Sequence, residues 1–422
     1  METLSKDVAR RIIEIVGGSG NPPEYGFQFF TAGLDEYLNP IKDEYLSSFI
    51  KDGGCSFKMI VGTYGGGKTH FLYCVRELAW KQNFAVSYVR LSPTETPFHK
   101  LDSVYRSIVS NLTYPMTSEE LLSGYERGIE SFIKVWYRQK VAEVESKGIT
   151  GDGLKEELNT YISSISNFES SSFTNAVKKA FHCLLDRRDT DFSKIAQWLK
   201  AEGFDSRRVD GHPQFGILQK IDKSTAFSMI RSLVRWVRVV GYSGLVVLFD
   251  EAEQVPSMSG KQKDLLLSNL RELIDECGQG TLAHSMFFYA VPDENFLQGR
   301  TQIYEALRQR VSTVFEDLNP IGVKIYLEKL SRKPEEVLRE IGGKLGKIFE
   351  VAYAVKFNAD VLKESISNIA DAAYAERFGD IGYKRLFVQA VVKGFQRLRK
   401  DPTTVVSPEA AQELLNEVRV RE

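Results

Sequence analysis

Cysteine is scarce in this chain, and its spacing argues against two common kinds of site. Only four cysteines occur among 422 residues. None belongs to a C-x-x-C pair, the spacing typical of zinc sites and dithiol redox motifs. The sequence therefore predicts reduced, buried thiols in a cytosolic protein. These cysteines are Cys55, Cys74, Cys183 and Cys277.

Long apolar runs and an excess of charge of one sign are also absent. No run reaches the roughly 18 apolar residues that a membrane-spanning helix needs. The N-terminal stretch METLSKDVARRIIEIV is charged and amphipathic, and it does not have the apolar core of a signal peptide. The formal net charge is -1, so no global attraction to DNA or to anionic membranes is expected. We therefore expect a cytoplasmic protein without a membrane partner.

What the chain does contain is a glycine-rich loop after a short apolar run. Residues 62–69 read GTYGGGKT, which fits a Gly, four residues and then Gly-Lys-Thr. Glycines let backbone N–H groups approach phosphate oxygens, and the N-terminus of a following helix favours an anion. We expect Lys68 to place its charge near the terminal phosphates and Thr69 to offer a hydroxyl to Mg²⁺. The predicted nucleotide-contacting segment is Gly62, Thr63, Tyr64, Gly65, Gly66, Gly67, Lys68, Thr69 and His70.

His70 belongs to this segment by position rather than by chemistry. The five histidines of the chain have no metal-ligand spacing. His70 follows Thr69 on the predicted helix, and we expect it to pack or to face solvent rather than to act in catalysis.

A second motif ends an apolar strand in two carboxylates, GLVVLFDEAE at 244–253. In enzymes with a phosphate loop, the first acid, here Asp250, orients Mg²⁺ or its waters. The next acid, Glu251, can align and deprotonate the attacking water. With the loop, this motif predicts ATP and Mg²⁺ as cofactors, Thr69 and Asp250 at the metal, and Lys68 and Glu251 in catalysis. Glu253 is expected to be a solvated residue at a helix start.

The order of strands and helices predicts an α/β fold. A strand, the loop, a helix and a second strand begin a parallel sheet of the P-loop NTPase kind. Strands are expected at 57–61, 84–92, 244–250, 285–291 and 311–318, and the helix after the loop at 69–82.

The remaining segments have helical periodicity. Residues 97–240 have no strand-like alternation, so they predict a large helical insertion. Helices are expected at 4–16, 31–53, 99–113, 118–147, 172–186, 190–202, 222–240, 321–331, 359–377, 382–399 and 408–420. The expected organisation is N-terminal helices at 1–55, an ATPase core at 56–96 and 241–318, the insertion at 97–240 and a C-terminal helical lid domain at 319–422.

Two later segments contain arginines that could stabilise charge on phosphate. YEALRQRVSTVFEDL (304–318) places Arg308 and Arg310 before a predicted strand, where an arginine of an oligomeric ATPase can reach a neighbour's γ-phosphate. GDIGYKRLFVQAVVKGFQ (379–396) places Arg385 at the start of a tail helix, from which it could contact the phosphates. Lys384 competes with Arg385 for this role. A solvated basic helix end is the alternative interpretation for both segments.

The segments GTYGGGKTHFL, GYSGLVVLFDEAE, RQRVSTVF and GYKRLFVQAVV, in this order, resemble the AAA+ ATPases of the initiator-like branch. Arg310 is preferred over Arg308 because RVSTVF resembles the Arg-Val-x-Ser segment of initiator-type ATPases. TAGLDEYL at 31–38 resembles the Gly-Arg-Asp/Glu box that precedes the loop there, with Leu34 in place of the arginine.

More narrowly, the chain resembles the BrxC/BrxD ATP-binding family of BREX-type bacteriophage defence, from about Ala9 to about Arg399. The Gly-Thr-Tyr-Gly loop, the long helical stretch before the second motif and the Gly-Tyr-Ser-Gly-Leu lead into LFDEAE carry this resemblance. The length is closer to that of the BrxD members. The resemblance implies an ATP-hydrolysing protein that self-associates and works with other phage-defence proteins, on DNA directly or beside a DNA-acting partner.

One departure from the AAA+ pattern bears on turnover. The strand at 285–291 should end in a polar residue that positions the water, yet Val291 stands there, with Asp293 or Asn295 as possible substitutes. The departure implies slow turnover, and a nucleotide-gated scaffold with little turnover therefore stays an alternative. A superfamily-2 helicase is another, suggested by DEAE at 250–253. No Ser-Ala-Thr segment and no second helicase core follow it.

Overall fold

A computed structural model describes residues 4–202, 213–252, 258–293, 302–316, 319–379 and 382–420. Its six strands are β1 (Cys55–Val61), β2 (Ala85–Arg90), β3 (Leu112–Thr113), β4 (Leu245–Asp250), β5 (Ser285–Val291) and β6 (Lys324–Tyr326). They form one sheet in the order β3-β2-β4-β5-β1-β6. β2 and β3 are antiparallel, and the other neighbouring strands are parallel. The expected α/β class of the P-loop NTPase kind is confirmed.

Helices cover both faces of this sheet and extend beyond it. The helices before β4 are α1 (Lys6–Ser19), α2 (Asp35–Pro40), which continues as a π-helical turn at Ile41–Phe49, α3 (Lys68–Lys81), α4 (Leu101–Ser110), α5 (Ser118–Ser123), α6 (Ile129–Glu145), α7 (Gly151–Ser164), α8 (Ser171–Leu185), α9 (Asp189–Leu199) and α10 (Ala226–Val240). Those after β4 are α11 (Gly260–Gly278), α12 (Gln302–Arg310), α13 (Pro334–Tyr353), α14 (Ala359–Ala375), α15 (Tyr383–Lys400) and α16 (Pro408–Arg419).

The central strands are buried on both faces, as parallel strands covered by helices must be. Every residue of β4 and of β5 is buried. Successive side chains of β4 point to opposite faces, so Val246 and Leu248 join the core under α3. Val247 and Phe249 join the core on the other face, where α4, α10 and α11 pack. The unbroken apolar run before Asp250 is therefore what a strand in this position needs.

Residues 97–240 form mainly helices whose core is rich in aromatic rings. The ring of Trp136 lies 4.8 Å from that of Phe181 and 5.6 Å from that of Trp236, measured between ring centroids. The indole N–H of Trp136 donates to the hydroxyl of Tyr161 at 3.0 Å. These side chains belong to the same continuous core as the sheet face opposite α3. Most helices of the region thus pack on one side of the sheet, whereas Leu121 of α5 joins the core on the α3 side.

The N-terminal helix packs with the C-terminal helices, although the sequence predicts it as part of a lead into the nucleotide domain. α1 lies against α13 and α15 and shares a core with α14 and α16. Gly17 permits this approach, because a Cβ atom there would lie 2.6 Å from Cγ1 of Val392. Close packing at this glycine joins the two ends of the described chain.

Two expectations about the sheet are wrong. The segment 311–318 is not a strand in its described part, where Val314 and Glu316 make only isolated bridges. The sixth strand is Lys324–Tyr326, inside the stretch 321–331 expected to be helical. The sequence GVKIYL alternates apolar and polar side chains, and β6 pairs with β1 along this alternation. Tertiary pairing decides a segment too short to show its period.

Several expectations about the helices also differ. The expected helix at 118–147 is two helices, α5 and α6, because Gly124 and Gly128 have φ values of +83° and +98° between them. β3 lies within the region expected to contain no strand, and it adds an antiparallel edge to β2. α7 and α13 were not anticipated. Gly151 begins α7 within the stretch between 147 and 172, where no helix was expected.

Candidate nucleotide-binding site

The glycine-rich loop connects β1 to α3, as the sequence predicts. Gly65 and Gly67 have φ values of +72° and +101°, a region that side chains with a Cβ atom rarely adopt. A Cβ atom on Gly67 would meet nothing within 4 Å, so this part of the loop faces open space. A Cβ atom on Gly66 would lie 2.6 Å from a carboxylate oxygen of Glu328. The glycines therefore serve both the loop conformation and close contact beneath it.

Lys68 is the first residue of α3, and its side chain turns back along the loop. Its Nζ donates to the backbone oxygen of Gly62 at 2.8 Å and to that of Thr63 at 3.0 Å. The residue is only 6% exposed. A buried ammonium that donates to backbone carbonyl groups can pair with a phosphate anion placed beside the loop.

Thr69 and Asp250 meet although 181 positions separate them in the chain. The hydroxyl of Thr69 donates to Oδ2 of Asp250 at 2.7 Å. Asp250 ends β4 and is 1% exposed. The same carboxylate also accepts the hydroxyl of Tyr88 from β2 and the backbone N–H of Glu251, the latter at 2.9 Å. Three donors thus hold the buried carboxylate at the end of the sheet.

Glu251 follows Asp250 in a left-handed backbone conformation, with a φ of +60°. Such a conformation is uncommon outside glycine and is found preferentially at functional sites. The side chain of Glu251 is exposed and borders the same cavity as Asp250. Burial acts to lower the pKa of Arg90, but two tyrosines and Glu251 raise it overall. A positive charge therefore lies near the carboxylate of Glu251.

A cavity of about 370 Å³ lies beside the loop. One end is polar and contains Lys68, Thr69, Asp250 and Glu251. The remaining wall is mainly apolar and is shared by the segments before β1, the segment after β6 and the C-terminal helices. This wall contains Val16, Pro22, Phe30, Ala32, Leu34, Leu327, Leu330, Val337, Ile341 and Val388. A polar end beside an apolar wall suits a triphosphate joined to a flat ring.

The start of α15 contacts the loop directly. Nζ of Lys384 donates to the backbone oxygen of Gly66 at 3.1 Å and to that of Leu327 at 2.9 Å. Burial lowers the pKa of Lys384, and the charge of Glu328 partly offsets this effect. Arg385 donates to the hydroxyl of Tyr64 at 2.7 Å and lies 5.1 Å from its ring centroid. Both rival residues of this segment border the cavity.

Glu328 holds the beginning of the loop from the same side. Its Oε1 accepts the backbone N–H of Thr63 at 2.9 Å and the Thr63 hydroxyl at 3.1 Å. The segment after β6 is linked to the loop at a second point, because the ammonium of Lys384 donates to the backbone oxygens of both Leu327 and Gly66. The C-terminal part of the chain and the phosphate loop form one connected surface.

His70 packs against aromatic rings. Its Nε2 lies 2.7 Å from the hydroxyl of Thr31, and its ring centroid lies 5.7 Å from that of Phe27 and 5.2 Å from that of Phe30. Burial, and after it the charge of Lys384, lowers the pKa of His70 to about 4. The imidazole is therefore neutral near pH 7.

Arg310 lies in α12 and pairs within its own chain. Its guanidinium bonds to both carboxylate oxygens of Asp275 on α11 and to the backbone oxygen of Ala306 at 2.8 Å. Arg308, two residues earlier, is exposed. Neither arginine borders the cavity beside the loop.

Val291 ends β5, between the loop strand β1 and the acid strand β4. It is fully buried, and its backbone oxygen accepts the N–H of Gly62 at 3.1 Å. Asp293 is exposed beyond the strand end. Asn295 and Glu253 lie outside the described residues.

Sequence reasoning missed Tyr88, Glu328 and the apolar wall. Tyr88 has the sequence pattern of any residue in a short strand. Glu328 follows β6, a strand that was expected to be part of a helix. For the apolar wall, one sequence signal was available. TAGLDEYL resembles the Gly-Arg-Asp/Glu box that precedes the loop, and it contributes Ala32 and Leu34 to the cavity. The other wall residues come from distant helices, and no local pattern marks them.

The site fits magnesium as a companion of a nucleotide rather than as a resident ion. Within the described ranges, no three His, Cys, Asp or Glu side chains come together as a metal site. Mg²⁺ in nucleotide sites keeps several waters and takes one or two protein oxygens besides phosphate oxygens. Thr69 and Asp250 provide such oxygens at the polar end of the cavity.

The loop between a parallel strand and a helix, with its lysine and threonine beside a strand-end carboxylate, defines a nucleoside-triphosphatase fold of the P-loop class. The chain belongs to the family described as BREX system ATP-binding protein BrxC/D, whose model matches residues 4–413. A search of the curated proteins finds no match. No described helix has the length and apolar character needed to cross a membrane.

Proposed function

We propose that this protein binds and hydrolyses Mg-ATP as an AAA+ ATPase within a BREX defence complex. One observation carries the proposal: Lys68, Thr69, Asp250 and Glu251 converge on the polar end of a cavity whose remaining wall is mainly apolar. Family membership supports the nucleotide as ATP and the setting as phage defence. Within that family, we propose a BrxD-type member, as the sequence resemblance implies.

In the proposed mechanism, Lys68 leaves the carbonyl groups of Gly62 and Thr63 and places its charge between the terminal phosphates. N–H groups of residues 65–69 surround the phosphates from the loop and the start of α3. The Thr69 hydroxyl and Asp250 would hold the magnesium ion or its waters. When bound, that ion would neutralise charge that develops on the phosphate oxygens.

Glu251 is the proposed general base. Its backbone is fixed by the N–H bond to Asp250, and its side chain is exposed at the cavity. A carboxylate in this position can orient a water and take its proton during attack on the γ-phosphate. Lys384 and Arg385 would then report phosphate occupancy to the C-terminal helices, since both contact the loop.

We further propose that the protein self-associates. An arginine that acts on a neighbouring subunit needs a side chain that is available to that subunit. The side chain of Arg310 instead donates to Asp275 of its own chain. The exposed side chain of Arg308 suits this role better than the originally preferred Arg310. Alanine at 308 should then lower turnover without lowering ATP affinity, whereas alanine at 310 should mainly destabilise α12. A mass measurement with and without ATP and Mg²⁺ tests the premise, because a strict monomer would exclude any arginine acting in trans.

A nucleotide-gated scaffold is the second candidate, and Val291 favours it. An apolar side chain at the end of the strand between the two motifs cannot hydrogen-bond a water. Turnover of wild type compared with Glu251→Gln separates the two candidates. A large decrease supports hydrolysis, and equal rates support the scaffold. Action on DNA, directly or through a partner, is tested by ATP turnover with and without DNA.

A further inference from the structure

The two oxygens of Asp250 have different partners. Oδ2 accepts the hydroxyls of both Thr69 and Tyr88, whereas Oδ1 accepts the backbone N–H of Glu251. An oxygen of an ionised carboxylate offers about two lone pairs. Two hydroxyl donors therefore fill Oδ2. Among the described residues, one acceptor position remains on Oδ1.

The strand register explains how Tyr88 reaches this carboxylate. In the parallel pair of β2 and β4, Tyr88 lies opposite Leu248, and Arg90 lies opposite Asp250. Alternate residues share a face and are spaced by about 6.6 Å along a strand. Asp250 lies two residues beyond Leu248 on the same face, so the side chain of Tyr88 must span that distance to reach its carboxylate. A phenol side chain has this reach, while a threonine or serine in its place does not.

The surroundings hold the Tyr88 ring in place. The ring centroid of Tyr73, on α3, lies 5.2 Å from that of Tyr88. The ring also packs against the core under α3, and its hydroxyl donates to Oδ2 of Asp250.

We propose that Tyr88 is a positioning residue of the magnesium site, which fixes the Asp250 carboxylate so that Oδ1 alone receives the metal or its water. The inference rests on the proposed Mg-ATP function and adds a residue that neither the two motifs nor the family description assigns. Tyr88 acts through Asp250 and is not expected to touch nucleotide. Without it, Oδ2 has a vacant acceptor position and the carboxylate can rotate away from the orientation that the ion requires.

The test is Tyr88→Phe, which keeps the ring and removes the donor. Binding of a non-hydrolysable ATP analogue is measured by calorimetry with EDTA and across a Mg²⁺ titration. Mn²⁺ bound to the protein–analogue complex is counted by electron paramagnetic resonance. Groups that orient a metal ligand typically contribute about 10- to 100-fold to metal affinity. We expect the variant to bind Mn²⁺ about 10-fold more weakly and to bind the metal-free analogue as wild type does.

Tyr73→Phe is the matched control. It removes a hydroxyl from the same aromatic pair, but that hydroxyl interacts with Arg90 rather than with Asp250. Its Mn²⁺ affinity should equal that of wild type. An unchanged or higher Mn²⁺ affinity in Tyr88→Phe, or an equal loss in both tyrosine variants, overturns the inference.

Thr69→Ala separates this inference from the proposed function. If Thr69→Ala loses Mn²⁺ and Tyr88→Phe does not, the metal site stands and the role of Tyr88 is wrong. If the wild-type protein with analogue binds no Mn²⁺ at all, the proposed function itself is wrong.

Discussion

Two largely helical regions flank the same sheet, but only one of them reaches the candidate nucleotide site. The C-terminal region contributes Val337, Lys384, Arg385 and Val388 to the cavity beside the loop. No described residue of 97–240 borders that cavity. Most helices of the region 97–240 pack on the sheet face opposite α3, and one of their links to the core is the ion pair between Arg231 and Glu276 on α11.

The difference between the two regions shows that a high helical content does not by itself indicate which region contacts the nucleotide. Nucleotide in the cavity would touch the C-terminal helices directly, through Lys384 and Arg385. One route from the cavity to the insertion is the sheet and α11, the helix that also holds Arg310 through Asp275. The C-terminal helices are therefore placed where they could respond to whether nucleotide is bound.

The largest expected effect separates the loop from the insertion. Lys68→Ala should weaken ATP binding by about 100-fold or more, because it removes a buried charge that phosphate would pair with. Lys155→Ala changes an exposed lysine of α7, which pairs with Asp186, and should leave affinity unchanged. Isothermal calorimetry measures both. Wild-type affinity in the Lys68 variant would mean that the cavity is not the ATP site.

The next effect concerns chemistry rather than binding. Glu251→Gln should lower ATP turnover by about 100-fold, since it removes a general base while keeping size and shape. ATP affinity should stay within a few-fold of wild type. Glu156→Gln, an exposed acid of α7, is the control and should have wild-type turnover. Phosphate release under saturating ATP checks the pair, and equal rates in the two variants would contradict the role of Glu251.

A pair of cation variants tests the comparison more finely. Lys384→Met should weaken ATP binding by about 10-fold, because it removes a loop contact near the phosphates. Arg231→Met should instead lower the free energy of unfolding by about 1 to 3 kcal/mol, because it breaks the bonds of Arg231 to Glu276 and Glu169. Its ATP affinity should not change. Denaturant unfolding and calorimetry on both variants give the answer, and the opposite pattern would reverse the assignment of the two regions.

The last expected effect is confined to acidic pH and concerns how the stability of the folded protein depends on pH. The pKa of His70 in the folded protein is lowered to about 4, from an ordinary value of 6.5. The unfolded chain therefore binds a proton between these values and the folded protein does not. Stability should fall as pH decreases from about 6.5 to about 4, by at most about 3 kcal/mol from this group.

His70→Asn should flatten that part of the curve. Chemical denaturation of wild type and variant at several pH values between 4 and 7.5 measures the slope. A variant with the wild-type slope would show that His70 titrates normally in the folded state.

The parts of the site that could be predicted are those in which chemistry imposes a local pattern. A phosphate loop needs glycines before a lysine and a helix, so residues 62–69 were identifiable from their spacing. The strand that ends in Asp250 is buried on both faces and needs an apolar run, which GLVVLFDE contains. The contact of Thr69 with Asp250 follows once the strand before the loop, β1, and the strand that ends in Asp250, β4, are placed in one parallel sheet.

The remaining parts depend on tertiary contacts that leave no local pattern. β6 is three residues long and was expected to be part of a helix, so Glu328 could not be placed beside the loop. Tyr88 reads as an ordinary strand residue until the register of β2 against β4 is known. The position of α1 among the C-terminal helices depends on long-range packing at Gly17 rather than on any signal in the first 20 residues.

Amide hydrogen exchange with and without a non-hydrolysable ATP analogue and Mg²⁺ tests the central claim most directly. The account predicts increased protection in the loop at 62–70, after β6 at 327–341 and at the start of α15 at 383–389. It predicts little change in α6 to α9, from 129 to 199. Protection confined to the insertion, with none in the loop, would contradict both the site and its link to the C-terminal helices.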